Sequence, residues 1–427
     1  MRRGDLLREL ACGGLLERLA PVYGPDAEKA AARLRELTLE FAETFPCADS
    51  DETWLFSTPG RTELGGNHTD HQRGRGLAGS VNLDTIACVV PNGSRTIRIK
   101  SRHHRMAEVK LDQLSLQGAE TGSSPALVRG VAARLTELGH AIGGFDAYTT
   151  TSVLRGSGLS SSAAFEVLVC TIMDHLFCGG RLSPVGLAQV GQYAENVYFG
   201  KPCGLLDQLS CAAGGVVAAD FRDPAAPEIR QVRVDLDREG YALCIVDTHA
   251  SHADLTEDYA AIPLEMGQVA AFFGRTVLGE VPFSDFSAAI PALRARCGDR
   301  AVLRAYHYYK EDQRVLLQQE ALERGDFGQF LRLVRQSGRS SYMYLQNVSN
   351  YRDSRSQCVA VLLAAAEELL EGTGAIRVHG GGFAGTIQAF VPLPRLAAFR
   401  AGMEAVAGRG SCHVLSIRDT GSVLLVS

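Results

Sequence analysis

The segment Ser57–Arg75, "STPGRTELGGNHTDHQRGR", concentrates groups that can do chemistry. An apolar run (Trp54, Leu55, Phe56) stops at Pro59-Gly60, and Arg61, Glu63, Asn67, His68, Asp70 and His71 follow among glycines. Gly, Pro, Asn and Asp are ordinary turn residues, but a turn needs no arginine, carboxylate and paired imidazoles. Read alone, this loop admits a metal site, a catalytic pair or a sugar-binding loop. "HTDH" and, further on, "DTHASHAD" each set two histidines three residues apart beside an aspartate, which zinc would accept. Neither has the helical H-E-x-x-H form of a metalloprotease.

A second segment, "RGSGLSSSAAFEVLV", is a glycine-rich turn running straight into a helix. Free backbone N–H groups and the positive helix end then converge on one spot, which suits phosphate. Gly156 and Gly158 would let the backbone approach closely; Ser160, Ser161 and Ser162 add hydroxyl donors or a metal ligand. The plain alternative is a flexible loop with a serine cap. No G-x-x-x-x-G-K-[ST] occurs, the third glycine of a dinucleotide fingerprint is missing, and G-x-S-x-G spacing is absent. A third segment, "AENVYFGKPCGLLDQLSC", holds Glu195 and Asp207. Glu195 falls on a helix opened by Ser183 and Pro184, where a lone carboxylate is ordinarily exposed. Asp207 follows Leu205-Leu206, so partial desolvation is expected to raise its pKa and make it a better base.

The elements that must position these groups follow from periodicity. Residues 5–45 read as helix with a break near Pro21–Pro25, and residues 54–110 as strands, "RTIRIKSRHHR" among them with Ile97 and Ile99 on a buried face. Helices are expected at 125–138, 163–177 and 183–199, a buried strand in "ALCIVDTHA", mostly helix over 260–345, and strands after "RVHGGG" and in "SVLLVS". With 427 residues, 46% hydrophobic and 21% charged, the chain has room for two globular units. Its net charge of −5 offers no general attraction to nucleic acid or anionic membrane. The N-terminus does not read as a signal peptide, and no stretch approaches the ~18 uncharged apolar residues of a membrane span. Eleven scattered cysteines without a C-x-x-C pair point to reduced thiols and a cytoplasmic location.

"GSGLSSSAA" resembles the ATP-binding motif of the GHMP small-molecule kinases. "PGRTELGGNHTDHQRG" is similar to the galactokinase signature PGRVNLIGEHTDYNGG, "AENVYFGKPCGLLDQLSC" to that family's catalytic segment, and "RVHGGGFAGTIQAFV" to its third glycine-rich motif. The resemblance runs from about residue 50 to 391 and implies a two-lobed α+β fold with the active site in the interlobe cleft. It implies a helical N-terminal extension over 1–50, an N-terminal lobe over 51–225, and a ferredoxin-like C-terminal lobe over 226–427. The implied reaction is ATP-dependent phosphorylation of the C1 hydroxyl of galactose; related sugars (galacturonate, N-acetylgalactosamine, arabinose) and a non-catalytic sugar sensor are the alternatives.

By resemblance, Asp207 is the catalytic carboxylate and Arg61 its partner. Gly156, Ser157, Gly158, Leu159, Ser160, Ser161, Ser162 and Ala163 hold ATP, and Ser162 with Glu195 takes Mg²⁺. Asn67, His68, Asp70, Gly204 and Tyr259 face the sugar. The chain departs from the signature at Asn67 and His71, where the family has Glu and Tyr, and at Glu63, where it has Asn. His379 replaces the usual Thr and is given no role.

Overall fold

A computed structural model describes residues 1–154, 156–250 and 255–427. Arg155 and residues 251–254, with the second histidine of "DTHASHAD", lie outside the described residues.

Three helices open the chain, α1 (Arg3–Cys12), α2 (Leu16–Tyr23) and α3 (Ala27–Thr44). The strands β1 (Trp54–Gly65), β2 (Arg75–Pro91), β3 (Thr96–Ser101), β4 (Ala107–Lys110) and β5 (Phe145–Thr151) follow, with α4 (Ser124–Glu137) between the last two. Next come α5 (Ser161–Met173), α6 (Pro184–Tyr193), α7 (Leu206–Ala213), β6 (Val216–Asp220), β7 (Glu228–Val232) and β8 (Tyr241–Asp247). A helical section, α8 (Thr256–Phe272), α9 (Phe283–Cys297), α10 (Asp299–Glu323), α11 (Phe327–Ser340) and α12 (Cys358–Leu370), leads to β9 (Ala375–His379) and β10 (Thr386–Pro392). The chain closes with α13 (Leu396–Ala407), β11 (Cys412–Leu415) and β12 (Val423–Val426).

The first sheet runs β12-β1-β2-β5-β3-β4, with β6 beside β2 and β7 beside β6; the second runs β11-β8-β10-β9. β7 still belongs to the first sheet, so the crossing to the second lobe falls after Val232, and β12 returns from the C-terminus to pair with β1. The N-terminal helices are less an appendage than a cover: Leu34, Leu37 and Phe41 of α3 pack on Leu55, Ile86, Cys88 and Val426 of the sheet. Asp84 pins them there, accepting from Tyr23 Oη (2.8 Å), Arg33 Nη2 (2.8 Å) and Ser57 Oγ (2.7 Å). The other face of the sheet meets α4 and α5 through Val128, Val131, Val167 and Leu168.

The segment Ser161–Cys178 is, apart from two carboxylates, long and apolar enough to span a membrane by length and composition. It is a packed core helix here, and the carboxylates that interrupt it, Glu166 and Asp174, are buried with it. β1 also overturns an expectation. Pro59-Gly60 does not end the strand, which continues through Arg61 and Glu63 to Gly65, with every residue from Leu55 onward buried. The register shifts between Pro59 and Arg61, a bulge that tolerates a proline inside a sheet. Polar residues on both faces erased the alternation by which a strand is recognised.

Candidate active site

The bulge delivers Arg61 to the phosphate loop. Its N–H donates to the Leu159 carbonyl (3.1 Å), and a Cβ at Gly60 would stand 2.9 Å from that same oxygen, so only glycine lets the loop lie on β1 here. The guanidinium then forks onto Asp207, Nε to Oδ1 and Nη2 to Oδ2 at 2.7 Å each, while Nη1 donates to the Gly158 carbonyl. Ser160, in the left-handed region at φ 55°, donates from Oγ to Asp207 Oδ2 at 2.5 Å. One carboxylate in the first turn of α7 is thus tied to β1 and to the phosphate loop. Burial acts to raise its pKa, but Arg61 and Ser160 outweigh burial and hold it below the usual carboxylate range. The expected rise in the Asp207 pKa is therefore reversed, and the arginine expected at its side is what holds it ionised.

Ser161 and Ser162 open α5, and Ser162 Oγ donates to Glu195 Oε1 at 3.4 Å. Glu195 is not exposed as its helix predicted. After Tyr193 the helix widens into a π-helical turn, Ala194–Phe199, and the carboxylate turns inward beside Gln208 Nε2 (2.8 Å) and Lys201 Nζ (3.1 Å). Gln208 also donates to buried Glu166 (3.1 Å), whose pKa burial and Glu195 push well upward and whose Oε1 has no hydrogen-bond partner. A buried carboxylate next to a serine hydroxyl at a helix N-terminus is a donor set that fits Mg²⁺, which takes few protein ligands and completes its shell with phosphate and water. Among the described residues, no cluster of three or more His, Cys, Asp or Glu is placed to hold a metal ion.

The sugar signature forms the opposite wall. Asp70 Oδ1 accepts from the His71 amide at 2.9 Å, and a Cβ at Gly204 would come within 1.7 Å of Asp70 Oδ2. The carboxylate therefore lies directly on the Gly204 backbone. Burial, then the nearby Asp207 charge, push its pKa up to about 6. His68 (φ 58°) contacts the Gly381 carbonyl through Nε2 at 3.4 Å, and its Nδ1 meets His71 Nε2 at 3.4 Å. Burial lowers both imidazoles, to about 4 and about 3, so both are neutral and His71 donates to His68. Tyr259 Oη donates to the Gly382 carbonyl at 2.6 Å, and its ring packs so close to Gly381 that a Cβ there would clash at 2.4 Å.

Asn67 is expected among the sugar contacts. It is buried, and its amide is occupied within the protein: Nδ2 donates to Glu63 Oε1 (2.9 Å) and the Gly380 carbonyl (2.7 Å), and Oδ1 accepts from Asn347 Nδ2 (2.9 Å). Glu63 in turn is ion-paired with fully buried Arg377. His379, given no role from sequence, ties the two lobes. Its Nε2 accepts from the Glu63 amide (3.3 Å), and Nδ1 faces the Ser157 carbonyl of the phosphate loop (3.2 Å). Sequence reasoning passed over Lys201 and Gln208, although both stand inside the "GKPCGLLDQ" motif. Nothing local marked Arg377 or Asn347, which act through residues hundreds of positions away.

The galactose-binding signature of galactokinases matches residues 39–91, and the N-terminal domain of GHMP kinases matches residues 126–215. A galactokinase of Streptomyces coelicolor is 32% identical over 344 residues, which is 79% of this chain and 84% of that one. The chain belongs to the galactokinase family. Lactococcus lactis galactokinase, solved with galactose, superposes with a TM-score of 0.77 at 26% identity, covering 92% of this chain and 99% of that one. Methanococcus jannaschii mevalonate kinase shares the fold alone, with a TM-score of 0.58 at 12% identity over 86% of this chain and 98% of its own. As a galactokinase-family enzyme the chain has the two-lobed GHMP α+β fold, and ATP use goes with that membership.

Proposed function

We propose that this enzyme transfers the γ-phosphoryl group of ATP to the anomeric hydroxyl of galactose, releasing ADP and galactose 1-phosphate. The observation that carries the reading is the clamp on Asp207: Arg61 grips both carboxylate oxygens while Ser160 of the phosphate loop donates to one of them. Kinship with galactokinases, one of them solved with galactose, supports the choice of sugar.

In this reading the loop Gly156–Ala163 holds the phosphates with backbone N–H groups and the N-terminus of α5. Ser162 and Glu195 would hold Mg²⁺, which neutralises charge on the phosphates. His68, Asp70, Gly204 and Tyr259 orient the sugar so that its C1 hydroxyl lies beside Asp207. The sugar oxygen attacks the γ-phosphorus, the bond to the β–γ bridging oxygen breaks, and the hydroxyl proton passes to Asp207. Phosphoryl transfer has a loose transition state, so the proton leaves late and a strong base is not required. A carboxylate held below its ordinary pKa suits this role, since it stays ionised and orients the hydroxyl while Arg61 stabilises charge on the transferring group. All eleven cysteines are unpaired, as the reducing cytoplasm would keep them.

Coupled ADP detection over a panel of galactose, galacturonate, N-acetylgalactosamine and arabinose tests the proposal. Turnover with galactose, abolished by Asp207→Ala, is expected. Turnover with another sugar but not galactose would overturn the substrate, and no turnover with any would overturn the reaction.

A further inference from the structure

The sugar wall contains a chain of hydrogen bonds in which the direction of every link is set. It begins on the connection between α8 and α9, where the amide of buried Leu278 donates to Gln72 Oε1 at 3.0 Å. A Cβ at Gly279 would stand 2.7 Å from the Gln72 carbonyl, so the connection is pressed onto the sugar loop. A backbone N–H can only donate, which turns Gln72 Nε2 toward His71 Nδ1 at 3.3 Å and makes that ring nitrogen an acceptor. The His71 ring is neutral, so its one proton lies on Nε2, 3.4 Å from His68 Nδ1. His68 then accepts at Nδ1 and carries its own proton on Nε2, which meets the Gly381 carbonyl at 3.4 Å. A carbonyl can only accept, so the far end of the chain requires the same tautomer as the near end.

We infer that Gln72 and His71 are positioning residues: they hold His68 in the Nε2–H tautomer, so that it offers the sugar a hydrogen-bond donor while Asp70 offers an acceptor. The bearing on the sugar rests on the assignment of His68 and Asp70 to it; the tautomer does not. At 3.4 Å the Gly381 carbonyl is a long partner beside the usual distance of about 2.9–3.0 Å, and half-buried His68 can share its proton with a sugar oxygen. A fixed donor and a fixed acceptor discriminate between epimers, because the wrong one leaves a polar group of the site unpaired. The Tyr of the family signature carries a hydroxyl that rotates between donor and acceptor. His71, locked by buried Gln72, donates in one direction only.

Long-range proton–nitrogen NMR spectra of the full chain with isotope-labelled histidine read the tautomers, His68→Gln and His71→Gln assigning the two rings. Both are expected in the Nε2–H form without sugar; an Nδ1–H form at His68, or a protonated ring at either position, overturns the relay. Gln72→Met removes the amide and should return both rings to a mixture of tautomers; unchanged rings would overturn the role of Gln72. His71→Leu should raise the galactose KM about tenfold with kcat held within about twofold, as loss of one hydrogen bond to bound sugar would do. His71→Gln, whose amide can donate from the same position, should recover most of that loss. Equal losses in the two variants, or none in His71→Leu, would overturn the positioning role. Absence of galactose turnover in the unaltered chain would overturn the proposed reaction and leave the NMR result as the test of the relay.

Discussion

Glu63 and Asn67 hydrogen-bond to each other, the Asn67 amide donating to Oε1 at 2.9 Å and to Oε2 at 3.2 Å. These are also the positions where the family signature carries Asn and Glu, so two departures are one exchange: the acid and the amide have traded places. Arg377, fully buried, depends on the acid of this pair. Glu63→Asn alone should cost about 3–5 kcal/mol, because it strands a buried cation. Asn67→Glu alone crowds two carboxylates around one guanidinium and should also destabilise. The double exchange should recover part of the summed loss, a coupling of about 1–3 kcal/mol. Urea midpoints of the four proteins decide it, and additive losses would show that the two sites are independent.

The same pair explains what could be read in advance and what could not. The four motifs and their order were legible, because phosphate loops and helix starts are local chemistry. The burial of Glu195, expected as a Mg²⁺ ligand by resemblance, depends on a π-helical turn and on Gln208, neither of which helical periodicity encodes. Arg61, 146 residues away, was expected beside Asp207 by resemblance alone, and the bidentate grip that outweighs desolvation needed the fold. The partners of Asn67, Gly380 and Asn347, come from the other lobe, which no local pattern encodes. β12 was recognisable as a strand, but its partner, the first strand of the chain, was not.

Asp70 should govern the acid limb of the reaction. Its pKa is pushed up to about 6, whereas Asp207 is held below the ordinary range. The profile of kcat/KM for galactose should therefore fall below about pH 6 as Asp70 takes up a proton and stops accepting from the sugar hydroxyl. Asp70→Asn should raise the galactose KM and flatten that limb. A limb that survives in Asp70→Asn would assign it to another group.

Stability should fall on mild acidification. His68, His71 and His379 are held neutral by burial, with pKa values lowered to about 4, 3 and 3, and His307 is lowered for the same reason. Below about pH 6.5 the unfolded chain binds protons that the folded one refuses, so stability declines as pH falls toward those values. Glu63, Asp70, Glu166 and Asp312, all raised by burial, act in the opposite sense. His413 is lowered by burial as well, and the five imidazoles outweigh the four carboxylates, so the slope keeps its sign between pH 6 and 4.5. Denaturant midpoints at pH 7, 6 and 5 measure it. His379→Gln should make the slope shallower by about 1.4 kcal/mol per pH unit.

Gly204 allows the sharpest test of the sugar wall. A Cβ there would stand 1.7 Å from Asp70 Oδ2, so Gly204→Ala must push the carboxylate off the backbone that supports it. Gly204 lies outside any helix or strand and the change is confined to the cleft, so stability should move by no more than ~2 kcal/mol. The efficiency with galactose should drop by about 100-fold, since a displacement of an ångström in a positioning group costs that much. ADP binding, read by calorimetry, should be unchanged because the phosphate loop is untouched. Gly186→Ala is the control: its Cβ would meet only Leu182 and Ser183 at 3.6 Å, within a helix where alanine is favoured by about 0.5–1 kcal/mol. Equal losses in the two variants would mean that Gly204 has no special bearing on Asp70.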